Sequence, residues 1–194
     1  MRKSEIYRKT KETEIKVFLN LDGEGDYKIN TDVGFFNHML ETFCKHSIFD
    51  LIIEAKGDIE VDYHHLVEDV GICLGEAFSK ALKNKEKIKR FGWAVIPMDE
   101  ALSLVAVDIC NRPLLVWDVK LKNEKIGNFD AALIKEFFKA FADNAKITLH
   151  IKLLTGSNAH HTIESIFKSF SKALSYAVEI DTRIKGIPST KDAL

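Results

Sequence analysis

Four of the seven histidines in this 194-residue chain lie in two adjacent pairs, and each pair is followed by a glutamate at the same spacing. The segment His64-His65-Leu-Val-Glu68 recurs 96 residues later, from position 64 to position 160, as His160-His161-Thr-Ile-Glu164. Successive residues on a helix are about 100° apart, so the first histidine and the glutamate share a face while the two histidines diverge. One helix could therefore supply ligands to two metal ions, one on each side.

The ligand types in these two motifs restrict the metal. Imidazole and carboxylate without thiolate suit Mn²⁺, Fe²⁺ or Zn²⁺, and an octahedral site that includes carboxylates favours Mn²⁺. One His-His pair alone is more often an accident of a polar helix start. Two pairs, each with a glutamate at the same offset, together predict a site for two metal ions.

The displacement that relates the two motifs also relates the sequence before them. The aligned segments are 51–55 with 147–151 and, when a gap of two residues is allowed, 35–40 with 133–138. Self-similarity at a fixed displacement predicts two half-units of similar plan. We therefore expect a single domain over 1–194, built of two repeats at about 1–90 and 91–194.

Hydrophobic periodicity gives the plan of each half-unit. In the first half it predicts a hairpin over 14–19 and 26–29, a helix over 35–43, a strand over 50–54 and a helix from His65, despite Gly71 and Gly75. In the second half it predicts strands over 101–108 and 114–121, a helix over about 130–143, a strand over 147–153 and a closing helix. The predicted fold is α+β, with two tandem pseudo-symmetric ββαβα half-units, each with the sheet on one side and the helices on the other.

Composition excludes some classes of partner. The formal net charge of −1 gives no basic surplus for a nucleic acid, so an anionic substrate must be held by a few placed cations. The three cysteines share no metal-type spacing and lie among apolar neighbours, which predicts buried free thiols in a reducing compartment. With neither an apolar leader nor eighteen consecutive apolar residues in the sequence, we expect a cytoplasmic protein without a membrane partner.

Several other residues have no chemical signal of their own. On residue type alone, Glu12 is an ordinary strand residue, His46 follows a helix end, and His150 is a surface residue because it alternates with apolar neighbours. Arg112 would be a loop residue, and the segment Ser189-Thr-Lys191 would be a terminal tail.

Five segments together resemble imidazoleglycerol-phosphate dehydratase, in its monofunctional form without an additional phosphatase domain. They are Val33–Leu40, Asp62–Asp69, Pro97–Leu102, Gly156–His161 and Pro188–Lys191, and the resemblance extends over essentially the whole chain. It implies a fold of the ribosomal protein S5 domain 2-like kind. It also implies a hydro-lyase of histidine biosynthesis that converts D-erythro-imidazole glycerol phosphate to imidazole acetol phosphate.

The resemblance implies the mechanism and the assembly as well. The reaction would pass through a metal-bound imidazolate and a diazafulvene-like intermediate, at a site with two Mn²⁺ ions. Twenty-four subunits with octahedral symmetry would place the active sites at subunit interfaces. Two departures are expected to alter loop geometry: Cys110-Asn111 stands where the family usually has Ser-Gly before Arg-Pro, and Lys191-Asp192-Ala193 departs from the usual Lys-Gly.

By position, the resemblance assigns three overlapping sets of residues. The implied metal ligands are His38, His64, His65, Glu68, Glu136, His160, His161 and Glu164. The implied catalytic residues are Glu12 as the base, with Glu68 and Glu164. The implied substrate-binding residues are Glu12, His38, His46, Arg90, Arg112, Ser189, Thr190 and Lys191.

Two other functions fit paired histidines and glutamates. A dinuclear metal hydrolase would use the same ligands to activate water, and it would release inorganic phosphate from a phosphorylated substrate. A metal-storing or structural assembly would retain metal without turning over substrate. The reaction product therefore distinguishes the three possibilities.

Overall fold

The computed structural model describes residues 1–121, 124–191 and 193. The first half contains β1 (Lys3–Lys9), β2 (Thr13–Asn20), β3 (Tyr27–Asn30), α1 (Gly34–Ser47), β4 (Asp50–Gly57) and α2 (His64–Leu82). The second half contains β5 (Phe91–Met98), β6 (Ala101–Asp108), β7 (Leu114–Asp118), β8 (Lys125–Ile126), β9 (Phe129–Asp130), α3 (Leu133–Ala145), β10 (Thr148–Thr155) and α4 (Ala159–Val178). Apart from the short β8–β9 hairpin, both halves follow one order of elements.

The two four-stranded sheets have equivalent topologies. Their strand orders are β1-β2-β4-β3 and β5-β6-β10-β7, and in each sheet only the last pair, β4 with β3 or β10 with β7, is parallel. The predicted α+β class with two tandem half-units is confirmed. Each half has one more strand than the predicted plan, namely β1 and β5. Both are edge strands, and β1 buries only Ile6, so its sequence lacks a hydrophobic alternation.

The hairpin predicted over 14–19 and 26–29 is wrong. β2 pairs antiparallel with β4, while β3 lies on the other side of β4 and pairs with it in parallel. A parallel pair needs a crossover connection, and α1 supplies it between β3 and β4. Local alternation identifies strands here but does not identify their partners. The predicted strand over 114–121 ends at Asp118.

The helices of the two halves pack against each other across the molecule. α2 lies beside α3 and α1 lies beside α4, while α2 covers the first sheet and α4 the second. Buried phenylalanines join helices of different halves: between ring centroids, Phe43 of α1 lies 5.5 Å from Phe170 of α4, and Phe78 of α2 lies 5.7 Å from Phe141 of α3. This cross-half pairing brings the N-terminal turns of helices from different repeats together.

Gly71 and Gly75 explain how closely α2 approaches α3. A Cβ at position 71 would lie 2.7 Å from the carbonyl oxygen of Phe137, and one at position 75 would lie 2.6 Å from that of Phe141. Each glycine costs a helix about 1 kcal/mol relative to alanine. Their lack of a side chain allows the close packing that sets Glu136 of α3 beside the metal-motif helix α2.

The three cysteines, all in the described part of the chain, are free and buried, as predicted. Burial raises the pKa of Cys44 and of Cys73 to about 12, so both are unreactive thiols. None of the helices described combines the length and hydropathy that crossing a bilayer requires.

Candidate metal centre and phosphate pocket

Three of the predicted metal ligands converge where α1 meets α4. Glu164 Oε2 lies 3.5 Å from His38 Nε2 and 3.3 Å from His160 Nε2, and one ligand atom from each residue lies within 4.8 Å of the others. The carboxylate of Glu164 is buried, whereas both histidines are open to solvent on one side. Two imidazoles and one ionised carboxylate suit a divalent transition metal, and the open side leaves room for further ligands.

Lys168 keeps the carboxylate of this cluster ionised. Burial alone would raise the pKa of Glu164, but Lys168 Nζ at 2.8 Å and the nearby His38 outweigh it and lower this pKa overall. An ionised carboxylate is the form that binds a metal. The sequence analysis did not identify Lys168, although it stands four residues after Glu164 on the same helical face.

The equivalent cluster of the first half is more open. His64 Nε2 lies 3.7 Å from Glu68 Oε2, and both side chains are more than 40% exposed. Glu136 lies on the first turn of α3, the helix that packs against α2, and Glu136 and Glu68 each contribute, after Asp143, to raising the pKa of Lys139. Among the described residues, the His38 set is the one group of three potential ligands that closes to metal-binding distances.

The second histidine of each pair turns away from its own cluster. His65 Nδ1 lies 3.0 Å from Asp58 Oδ2, and His161 Nδ1 lies 2.7 Å from Glu100 Oε2. The planes of the adjacent rings are 84° apart in the first pair and 75° apart in the second. A carboxylate on Nδ1 is the arrangement that orients a metal-binding histidine and makes Nε2 the ligand atom.

These two carboxylates were not predicted from the sequence. Glu100 lies within the segment Pro97–Leu102, on which the family resemblance partly rests, but the sequence analysis predicted no role for it. Asp58 follows β4 in a polar turn, where a carboxylate usually faces solvent. The fold brings Glu100 to the start of a helix that is 61 positions away, whereas Asp58 reaches His65 from seven positions before it.

Glu12 lies in the turn between β1 and β2. The hydroxyl of Thr10 accepts hydrogen bonds from the backbone N–H groups of Glu12 (3.1 Å) and Thr13 (3.0 Å), and Thr13 Oγ1 donates to the buried Asp69 at 2.5 Å. The Glu12 carboxylate is 55% exposed and lies 4.0 Å from His65 Nδ1. The turn is therefore fixed while its carboxylate remains accessible to a substrate.

Five of the predicted substrate-binding residues line a single depression of about 450 Å³. They are Arg90, Arg112, Ser189, Thr190 and Lys191. Asp108 accepts two hydrogen bonds from Arg90, at 2.7 and 3.2 Å, and Arg90 Nη1 donates to the carbonyl of Pro188 at 2.9 Å. Arg112 lines the depression with a side chain that is 68% exposed, and it has one contact of 3.3 Å with Asp108.

His46 is not among the residues that line this depression. It lies in the last turn of α1, where burial and then Lys168 and Lys172 of α4 lower its pKa. His46 therefore forms a second basic group with Lys168 and Lys172, on the helices α1 and α4 that carry the His38 cluster. The C-terminal departure predicted to alter loop geometry involves Asp192, which lies outside the described residues.

Comparison with known proteins identifies the family. The sequence profile of the family described as imidazoleglycerol-phosphate dehydratase matches residues 31–174. The chain is 57% identical over 194 residues, all of both proteins, to imidazoleglycerol-phosphate dehydratase of Thermoanaerobacter pseudethanolicus. It is 57% identical over 191 residues, 98% of each protein, to that of Clostridium kluyveri.

Solved structures give the same result. The Staphylococcus aureus imidazoleglycerol-phosphate dehydratase has a TM-score of 0.84 and 42% identity, covering 92% of this chain and 99% of its own. The Pyrococcus furiosus enzyme in complex with (S)-C348 has a TM-score of 0.84 and 41% identity, covering 97% of this chain and 100% of its own. The chain therefore belongs to the imidazoleglycerol-phosphate dehydratase family, the hydro-lyases that dehydrate imidazole glycerol phosphate in histidine biosynthesis.

Proposed function

We propose that this chain carries out its family's dehydration at a site that holds two Mn²⁺ ions. The observation that carries the proposal is the convergence of His38, His160 and Glu164 at the contact of α1 with α4. We infer a related set, formed by His64 and Glu68 of α2 with Glu136 of α3, from the packing of these two helices against each other. A duplicated half-unit, with its boundary near residue 90, accounts for two such sets in one domain.

His65 and His161 complete the two coordination shells in this proposal, but not within one subunit. Each ring has a carboxylate on Nδ1, which makes Nε2 the ligand atom, and in His161 this Nε2 lies 3.7 Å from Asp99 Oδ2. We therefore expect each of them to bind a metal of a neighbouring subunit. This requirement supports a homo-oligomer with active sites at its interfaces, and we propose the family's assembly of twenty-four subunits with octahedral symmetry.

An exposed apolar sheet face supports assembly as well. Phe91, Trp93 and Val95 of β5 and Leu114 and Val116 of β7 lie on the outer face of the second sheet, each at least 38% exposed. β5 and β7 are the two edge strands of this sheet, and exposed apolar surface of this kind usually marks a protein contact. We propose that it packs against another subunit, and that the assembly works in the cytoplasm, where its buried thiols stay reduced.

The residues of this chain have distinct tasks in the proposed reaction. Bound divalent ions would supply Lewis acidity to the imidazole ring and to the hydroxyl that leaves. Glu12 removes the carbon-bound proton, because its fixed turn holds an accessible carboxylate beside His65. Arg112 and Lys191 bind the substrate phosphate, with hydroxyl donors from Ser189 and Thr190.

The test is an ultraviolet assay for imidazole acetol phosphate. Protein stripped by a chelator should be inactive, and added Mn²⁺ should restore activity in proportion to the metal bound. Release of inorganic phosphate without this product would indicate the dinuclear hydrolase, and metal retention without turnover would indicate the storage assembly. Lys80→Ala, which changes an exposed residue in the last turn of α2 away from the motif at its start, is the control for His160→Ala.

A further inference from the structure

Lys85 is a buried lysine that has no part in the proposed reaction. Its residue is 6% exposed, and its Nζ donates a hydrogen bond to Oδ1 of Asn111, 26 positions along the chain. Lysine is almost never buried without a partner, because its ammonium loses hydration. Burial accordingly lowers the pKa of Lys85. A group placed at this cost calls for a structural or functional reason.

The partner of Lys85 lies at a strained point of the β6–β7 turn. Asn111 has a φ of 56°, in the left-handed region that glycine adopts freely and other residues adopt at a cost. It occupies the second position of Cys110-Asn111, where the family resemblance expects Ser-Gly. The next residue is Arg112, whose carbonyl accepts a hydrogen bond of 3.0 Å from Thr148 Oγ1. Lys85 thus binds the turn at Asn111, and Thr148 binds it at the next residue, Arg112.

The loop that carries Lys85 also forms a wall of the phosphate pocket. This loop, residues 83–90, ends at Arg90, which lines the pocket and binds Asp108 at the end of β6. Backbone hydrogen bonds tie the loop to the C-terminal segment, from Lys87 N to Gly186 O at 2.8 Å, and to the end of α4, from Arg90 N to Ala177 O at 2.9 Å. One loop therefore contacts each of the segments that line the pocket.

We propose that Lys85 is a positioning residue of the phosphate pocket, which holds Asn111 and thereby fixes the turn that presents Arg112. Lys85 does not line the pocket, so it acts through Asn111 rather than on the substrate. The inference rests on the proposed function, because it assumes that the pocket binds the substrate phosphate. In this chain a buried lysine and an asparagine replace the conformational freedom that a glycine would give the turn.

The experiment measures how Lys85→Met changes the holoenzyme with Mn²⁺. We expect KM for imidazole glycerol phosphate, and the inhibition constant of inorganic phosphate, to rise roughly tenfold, as for loss of one hydrogen bond to a charged group, with kcat within about twofold. Lys87→Met is the matched control, since Lys87 lies in the same loop with a φ of 59° but is exposed. It should leave both constants unchanged.

A second substitution distinguishes a positioning role of Lys85 from a direct effect of its positive charge on phosphate binding. In the Asn111→Gly background the turn no longer needs its anchor, so Lys85→Met should lose most of its effect there. An equal effect in both backgrounds, or no effect in either, would overturn the inference. If Lys85→Met fails to assemble, Asn111→Ala provides the test, because it loses the same hydrogen bond; it should raise both constants, and unchanged constants would contradict the proposal.

Arg112→Ala distinguishes failure of the inference from failure of the pocket itself. If Arg112→Ala leaves KM and the phosphate inhibition constant unchanged, the pocket does not bind phosphate and the proposed function is wrong at this point. If Arg112→Ala weakens both while Lys85→Met weakens neither, the pocket is correct and the role of Lys85 is not.

Discussion

The two halves of the molecule carry the same His-His-x-x-Glu motif but surround it with different residues. In the second half His160 and Glu164 are joined by His38 from the first half, and the three close to metal-binding distances. In the first half His64 and Glu68 lie 3.7 Å apart on the more exposed α2, and no third ligand among the described residues closes on them. The second-half cluster thus takes a residue from the other repeat, and the proposed role of Glu136 would make the same true of the first-half cluster.

The charges around the two clusters also differ. Glu164 has Lys168 four residues later, at 2.8 Å, whereas the equivalent position after Glu68 is Ile72. With Glu136 as its proposed third ligand, the first cluster would instead have a second carboxylate. Hard divalent cations such as Mn²⁺ favour carboxylate oxygen, so this proposal makes the first cluster the more acidic and the harder of the two sites.

A third contrast concerns the equivalent turns β1–β2 and β5–β6. Glu100 accepts hydrogen bonds from the backbone of Asn158 at 2.9 Å and from His161 Nδ1 at 2.7 Å, so its carboxylate is occupied. Glu12 lies at the corresponding turn, but Asp58 takes its place on His65 Nδ1. The same turn thus orients a ligand in one half and leaves a carboxylate available as a base in the other.

Loss of a metal ligand from either half should give the largest effect. We expect His160→Ala and His64→Ala each to lower kcat/KM at least roughly a thousandfold, because a Lewis acid supplies several kcal/mol of transition-state stabilisation and 1.4 kcal/mol is tenfold. Elemental analysis should find about one Mn²⁺ fewer per subunit in each variant. Wild-type activity in either variant would show that only one cluster serves the reaction.

Glu12→Gln should have the next largest effect, and it should act on a different step. We expect kcat to fall by about 10²- to 10³-fold, as for loss of a general base, while KM and the Mn²⁺ content stay near wild type. Steady-state kinetics together with metal analysis give the result. A loss of metal in Glu12→Gln would mean that Glu12 orients His65 as Glu100 orients His161, and the contrast between the two turns would disappear.

The helices and the ligand motif could be predicted from the sequence because both depend on local spacing. The apolar residues of α1, α2, α3 and α4 recur at helical intervals, and the duplicated histidine pairs stand out at one displacement. The pairing of β3 with β4 could not be predicted, since it depends on the crossover through α1. For the same reason Glu100 was not identified, because it acts on His161, 61 positions away, which the fold brings to it. Asp58 and Lys168 act on His65 and Glu164 from only seven and four positions away, but on residue type alone each is an ordinary surface charge.

Glu100→Gln tests the role of the occupied carboxylate. We expect Mn²⁺ affinity to fall by about 10- to 100-fold, the usual result of removing a carboxylate that orients a ligating histidine. Activity should return when Mn²⁺ is raised, which should not happen for Glu12→Gln. Metal titration followed by the product assay measures both. If excess Mn²⁺ does not restore Glu100→Gln, Glu100 acts on the substrate and not through His161.

The stability of the metal-free protein should depend on pH through the pair formed by Glu100 and His161. The hydrogen bond to Glu100 raises the pKa of His161, and the reciprocal bond lowers the pKa of Glu100 to about 2. The stability that the pair contributes is lost as pH rises through the raised pKa of His161, and lost again as pH falls toward the pKa of Glu100.

The raised pKa of His161 affects metal binding in the opposite direction: it stabilises the metal-free protein at low pH but weakens Mn²⁺ binding there. Mn²⁺ needs the neutral imidazole, so its affinity should decline as pH falls through the raised pKa of His161. In Glu100→Gln this decline should begin at a lower pH, although the affinity at its plateau is weaker. Mn²⁺ titrations across the pH range give both quantities, and Glu54→Gln on the first sheet is the control. An unshifted midpoint would mean that the pair does not form in solution.

The smallest expected effect compares the equivalent ends of α1 and α3. Both helices end in a left-handed residue, Ile48 with a φ of 64° and Lys146 with a φ of 56°. A β-branched residue tolerates this conformation least, so Ile48→Gly should stabilise the protein by about 1 kcal/mol, and Lys146→Gly by less. For a chain of this size that gain raises Tm by about 2–4 °C at matched subunit concentration. Lys146→Ala is the control, because it removes the side chain and keeps the strained backbone. A larger gain at Lys146 than at Ile48 would mean that packing around the two helix ends, and not backbone conformation, separates the two halves at this point.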